Sequence, residues 1–162
     1  ATAMVDSWNH MEAEPSTCIY SQNRIVDAVI SGVLGAVILK ERIQFTYQGR
    51  LPQELGVEDL DLCFLLSNIL ENAKEAVEKI PLDIGERKIH LTIGTYKKLI
   101  FFDCVNTILP DGESFTETAK NPDWHGFGLH NIHKIVQKYD GEFELSFDRQ
   151  TATAHAVLHK NL

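Results

Sequence analysis

Apolar side chains recur at positions 25, 26, 29, 30, 33, 34, 37 and 38. That spacing predicts one helical stripe over residues 21–40. Gly32 and Gly35 weaken it as an isolated helix but permit close packing. Alternation replaces it at Ile43–Tyr47, a short strand rich in β-formers. After a loop from Gly49 to Gly56, Val57-Glu-Asp-Leu-Asp61 leads into a second stripe. It predicts a helix over about 60–80 that ends near Ile80-Pro81. Lys88–Gly94 and Leu99–Val105 read as strands joined by a turn at Thr95-Tyr-Lys-Lys98. Leu129–Tyr139 is a third helical stripe, closed by Asp140-Gly141. Glu142–Phe147 and Thr151–His159 alternate as a closing hairpin.

Hairpin-linked strands with helices between them predict an α+β fold: a two-layer α/β sandwich with a mixed sheet and helices on one face. Residues 1–19 are polar and aperiodic, the disordered start of the chain or the remnant of an upstream segment. Residues 107–124 hold Pro110, Asp111-Gly112 and Asn121-Pro122-Asp123 and show no period. So long a structureless stretch inside a compact domain is either functional or disordered.

The chain has 162 residues, 44% hydrophobic and 23% charged, which suits one globular domain with its own core. The net charge of −8 argues against a general nucleic-acid binder. Cys18, Cys63 and Cys104 are odd in number and lack CxxC spacing, so they read as reduced thiols of a cytosolic protein. The apolar run Ala28–Leu39 is too short to cross a bilayer. The chain opens on Ala1, so an upstream portion is expected.

Three segments carry the chemistry. Asn68, Asn72 and Glu75 stand at i, i+4 and i+7 on one stripe of the central helix. Asparagine is a poor helix former, and an amide oxygen is a good hard ligand for Mg²⁺. Asn72 is therefore the metal candidate, with Asn68 and Glu75 lining the same site; a solvated polar face explains the stripe equally well. His125-Gly126-Phe-Gly128-Leu129 opens the next helix, where glycines let a backbone approach phosphate and the first N–H groups hold it. The unpatterned stretch before it could act as a lid, from which Lys120 could reach a phosphate, although a solvated lysine is the commoner explanation. Asn106-Thr107 ends a strand, where Asn106 can meet an adenine amino group or simply form a turn. His130 and His133 lie at i, i+3, but no third metal ligand has convincing spacing.

In order and spacing, these segments resemble the N, G1 and G2 boxes of the GHKL superfamily of ATP-binding domains. Asp61-Leu-Cys-Phe-Leu-Leu-Ser-Asn-Ile-Leu-Glu-Asn-Ala-Lys-Glu-Ala is similar to the N box, and His125-Gly-Phe-Gly-Leu-His-Asn-Ile to the G2 box. Tyr20-Ser-Gln-Asn23 through Asp27, then Leu39-Lys40, resembles the segment that joins the dimerization helix to the catalytic domain of sensor histidine kinases. The resemblance is to the peptide-pheromone-receptor subfamily, and it covers about residues 20–160. It departs from the superfamily at the G1 box, where Asn106-Thr107-Ile stands in place of DxGxG, although that subfamily tends to carry an asparagine there.

The resemblance implies a Bergerat-type fold that binds ATP and Mg²⁺. Residues 20–40 would link to a missing dimerization region, and 41–162 would be the catalytic domain. Asn106 and Thr107 would lie at the base, with Lys120, His125, Gly126, Gly128 and Leu129 at the phosphates. Asn68 replaces the glutamate that hydrolytic members use as base; an amide cannot take that proton, so phosphotransfer is favoured over hydrolysis. The acceptor histidine would lie upstream, since the context of His10 does not resemble an acceptor motif. The partners implied are the kinase's own dimerization helices and, indirectly, a response regulator. The whole protein would be a membrane-anchored bacterial homodimer with this domain in the cytoplasm. A protein-serine kinase of the anti-sigma type, or a degenerate nucleotide-binding or protein-interaction module, are the alternatives.

Overall fold

The structure, a computed structural model, describes residues 19–109 and 127–161. In chain order these form α1 (Arg24–Leu34), α2 (Val37–Lys40), β1 (Gln44–Gln48), α3 (Asp59–Glu78), β2 (Lys88–Tyr96), β3 (Leu99–Thr107), α4 (Phe127–Lys138), β4 (Glu142–Phe147) and β5 (Thr151–His159). The five strands make one mixed sheet in the order β1-β2-β3-β5-β4. Only β1 and β2 are parallel; the other pairs are antiparallel.

The alternation in β2 and β3 has a direct reading. Ile89, Leu91, Ile93, Ile100, Phe102 and Cys104 face inward and are buried. They meet a helical layer in which Leu62, Leu65, Leu66, Ile69, Leu70, Ala73 and Val77 form the buried side of α3. Ile132, Ile135 and Val136 of α4, with Val26, Ile30 and Leu34 of α1, complete the core. The sheet's other face is half-exposed and carries Thr92, Asp103, His155 and Glu144 across four strands. Asp103 and His155 pair there, while His159 is exposed.

Residues 20–40 are not one helix. The Asn23 side chain accepts from the N–H groups of Ile25 and Val26, so helix begins at Arg24, and the first helix ends at Gly35 before the single turn of α2. The residues before it are bent into a buried polar knot. Asp27 accepts from Ser21 N and Ser21 Oγ, both at 2.7 Å, and Asn23 Nδ2 donates to the carbonyls of Pro52 and Gln53. Burying a carboxylate is costly without such donors, and these fasten the entry of the chain to the loop before α3.

Candidate functional site

Asn68 is half-buried in the middle of α3, where an amide would ordinarily disturb the helix. Its Nδ2 donates to the Phe64 carbonyl one turn earlier, at 2.7 Å. That bond uses one N–H of the amide and leaves Oδ1 to point elsewhere. The direction is set by its neighbour: a Cβ added to Gly128 would lie 3.2 Å from Asn68 Oδ1 and 3.8 Å from Asn72 Oδ1. The first turn of α4 thus abuts both amides, and a larger residue at that position would press on Asn68 Oδ1. Leu129, next in line, is buried and anchors the helix start in the core. Asn72 and Glu75 are exposed at the same end of α3.

Beside this junction a narrow apolar cavity of about 30 Å³ runs between the helices and β3, β5 and β4. Asn72 and Asn106 are its polar lining residues, among Ile69, Ala73, Cys104 and Leu129. Burial, with the Asp103 charge adding, pushes the Cys104 thiol up to about 12, so it is an inert wall. Asn106 is buried, and its Nδ2 donates to the Thr107 carbonyl at 3.0 Å. The Thr107 hydroxyl is committed elsewhere: it donates to Glu86 O at 2.8 Å and accepts from Lys88 N at 2.9 Å.

The structure therefore brings together Asn68, Asn72, Asn106, Gly128 and Leu129. It sets Thr107 beside them through its backbone, not its hydroxyl. Lys120, His125 and Gly126 lie outside the described residues, as does most of the stretch 107–124. His130 and His133 are exposed, and the His133 ring packs edge-on against Phe143.

Sequence reasoning missed what holds α3 and α4 in register. At the far end of both helices, Tyr139 Oη donates to Asp61 Oδ2 at 2.6 Å and accepts from Glu58 N at 2.9 Å. Lys138 Nζ joins at 2.7 Å from Asp61 Oδ2 and 3.3 Å from Glu58. Burial alone would raise the Asp61 carboxyl, but the hydrogen bonds from Lys138 and Tyr139 outweigh it and hold its pKa below the usual range. The only hint in the sequence was an acidic first turn of α3.

The site so described is a two-layer sandwich in which two helix amides meet a helix start beside an apolar slot. The family profile of the GHKL domain matches residues 57–158, and the chain belongs to that family. No curated protein matches the sequence. Among solved structures, the catalytic domain of the histidine kinase ThkA is 20% identical with a TM-score of 0.65, covering 87% of this chain and 93% of that one. The full-length kinase ShkA in complex with AMPPNP is 17% identical (TM-score 0.61); the match covers 90% of this chain but 31% of ShkA. The histidine kinase domain of the E. coli osmosensor EnvZ is 19% identical, with a TM-score of 0.52 and 87% of each chain covered. At these identities the likeness shows a shared fold.

Proposed function

We propose that this domain is the Mg-ATP-binding catalytic domain of a two-component sensor histidine kinase. It transfers the γ-phosphate of ATP to a histidine on a dimerization helix outside this chain. The observation that carries the reading is the junction of Gly128 with Asn68 and Asn72, set beside an apolar slot lined by Asn106. The solved complex of ShkA with AMPPNP, a likeness in fold, supports it.

The residues fit a magnesium ion. Two amide oxygens converge on one helix start, and the Asn68 NH₂ is tied to the Phe64 carbonyl. Neutral oxygen donors suit a hard cation that keeps part of its water shell. Asn72 would hold the metal, while Asn68 and Glu75 bond its waters. Bound magnesium supplies neutralisation of phosphate charge. The chain itself orients: the first N–H groups of α4, from Gly128 and Leu129, meet phosphate, and Asn106 accepts from the adenine amino group. Lys120 would reach the phosphates from the stretch 107–124, and His125 and Gly126 would meet them at the helix entry. Because Asn68 cannot take a proton from water, the site positions a phosphoryl group for an external nucleophile.

Residues 20–40 would carry motion from the dimerization helices of the same kinase, and the phosphate would pass on to a response regulator. Cytoplasmic placement in a membrane-anchored bacterial homodimer belongs to the same reading. Among the described residues no helix is long and apolar enough to cross a membrane.

Calorimetric titration of ATP with and without Mg²⁺, on this chain and on Asn72→Ala, tests the proposal. Magnesium-dependent binding, weakened at least tenfold in the variant, is the expected result. No binding by the parent chain at millimolar nucleotide would instead mark a degenerate module.

A further inference from the structure

From Ala28 to Leu39 twelve residues pass without a charge, in a chain of net charge −8. A buried helix would explain such a run, but these helices lie on the surface. Ala28, Gly32, Gly35, Ala36 and Leu39 are exposed, at the spacing of one helical face. Leu39 is 89% exposed, and Leu60 on the neighbouring α3 is 64% exposed. Between α1 and α3 runs an open apolar groove of about 580 Å³, walled by Ala28, Gly32 and Val33 on one side and Leu60, Cys63 and Ser67 on the other. A Cβ added to Gly32 would meet nothing within 4 Å, so the groove is open at that point.

The charges stand at its two ends and differ in sign. Asp59 lines the groove with Ile25, at the start of α1. Glu54 stands with Asp59 and Asn23 around the adjoining cavity. These two carboxylates outnumber Arg24, the exposed cation of that end. Lys40 and Arg42 hold the other end. Gly35 and Ala36 keep helical backbone between α1 and α2, so Lys40 lies about 22 Å along the path from Ile25. Glu41 beside it is already paired with Arg87. Among the described residues Asp59, Lys40 and Arg42 take part in no ion pair.

A face that is acidic at one end, basic at the other and uncharged between is its own complement when turned end for end. A twofold axis makes that turn and repeats every contact. It brings the Asp59 end of each copy over the Lys40–Arg42 end of the other, with Gly32 near the axis. We propose that this face docks a second copy of the chain, antiparallel, in a twofold pair. The groove shares no residue with the slot lined by Asn72 and Asn106, so the inference stands apart from the nucleotide reading. Two helices about 10 Å wide and about 22 Å long offer a footprint of roughly 440 Å². A stable interface covers about 800 Å² on each partner. The pair is therefore weak, with a Kd of roughly hundreds of micromolar.

Sedimentation equilibrium of the whole chain, without nucleotide and from micromolar to millimolar concentration, tests this. The parent is expected to pass from monomer to dimer. Gly32→Glu has room in the monomer but puts a charge into the groove; it should melt no lower and stay monomeric. Lys40→Glu and Asp59→Lys should each associate about fivefold more weakly alone. Mixed in equal amounts they should recover the parent's association, because opposite charges then meet at both ends. A parent that remains monomeric at millimolar concentration overturns the proposal, and the face then belongs to a different chain. Undiminished association of folded Gly32→Glu overturns it too, as does a mixture that associates no better than its components. Should Gly32→Glu fail to fold, the two charge variants and their mixture decide the matter.

Discussion

Gly128 shows most plainly what one side chain can decide here. The helix would favour alanine at that position by up to about 1 kcal/mol. The site does not: a methyl would stand 3.2 Å from Asn68 Oδ1, and that amide is anchored to the Phe64 carbonyl. Gly128→Ala is thus expected to melt no lower than the parent, yet to bind ATP several-fold more weakly. Thermal melting and titration of the same sample separate the two effects; unchanged affinity would show that Asn68 gives way freely. At this scale the sequence was legible in part. The asparagines at 68 and 72 stood out because helices seldom carry two amides on one stripe, and the glycines stood out at a helix start. Their physical meaning was not legible, since it lies in where each amide is tied. The NH₂ groups of Asn68 and Asn106 each give one N–H to a backbone carbonyl, and no spacing rule reports that.

The elements were legible where a period ran uninterrupted. α3, β2, β3, β4 and β5 fall within about two residues of their expected bounds, because each has one buried face and one wet face. The stretch 20–40 was read as one helix because its apolar period runs through Gly35; the cap at Asn23 and the turn after Leu34 are local hydrogen-bond events that a period cannot see. The pin between α3 and α4 was also invisible, since Asp61 and Tyr139 are far apart in the chain and meet only after folding. It fixes the two helices at the end away from the amides: Asp61 and Asn72 are separated by about 16 Å along the helix axis. Tyr139→Phe removes a hydroxyl that serves Asp61 and Glu58 N together. A loss of about 1–2 kcal/mol in urea unfolding is expected, with ATP affinity kept within about twofold. A large loss of affinity would mean that the pin sets the angle at which α4 meets Asn68.

For the molecule as a whole, that pin also governs behaviour in acid. Asp61 is held ionised in the folded state, its pKa lowered by Lys138 and Tyr139 against the opposing effect of burial. The unfolded chain releases that proton near the ordinary value of 3.8. The folded state therefore binds fewer protons, so the contribution is fully present above that value and lost as pH falls through the lowered one. Asp148 acts in the same sense, its carboxylate stabilised by the N–H groups of Gln150 and Thr151 and the Thr151 hydroxyl. Stability should thus stay level from neutral pH down to the ordinary carboxylate range and fall steeply below it. Asp61→Asn should be less stable than the parent at pH 7, with the gap closing as the pH drops, because both chains then carry a neutral group at that position. Chemical unfolding of parent and variant from pH 7 down to about pH 2 measures this gap, which should hold steady to the ordinary carboxylate value and close below it. A gap that stays constant would mean that Asp61 stabilises through shape and neutral hydrogen bonds, and that the charge on Lys138 contributes nothing to the pin.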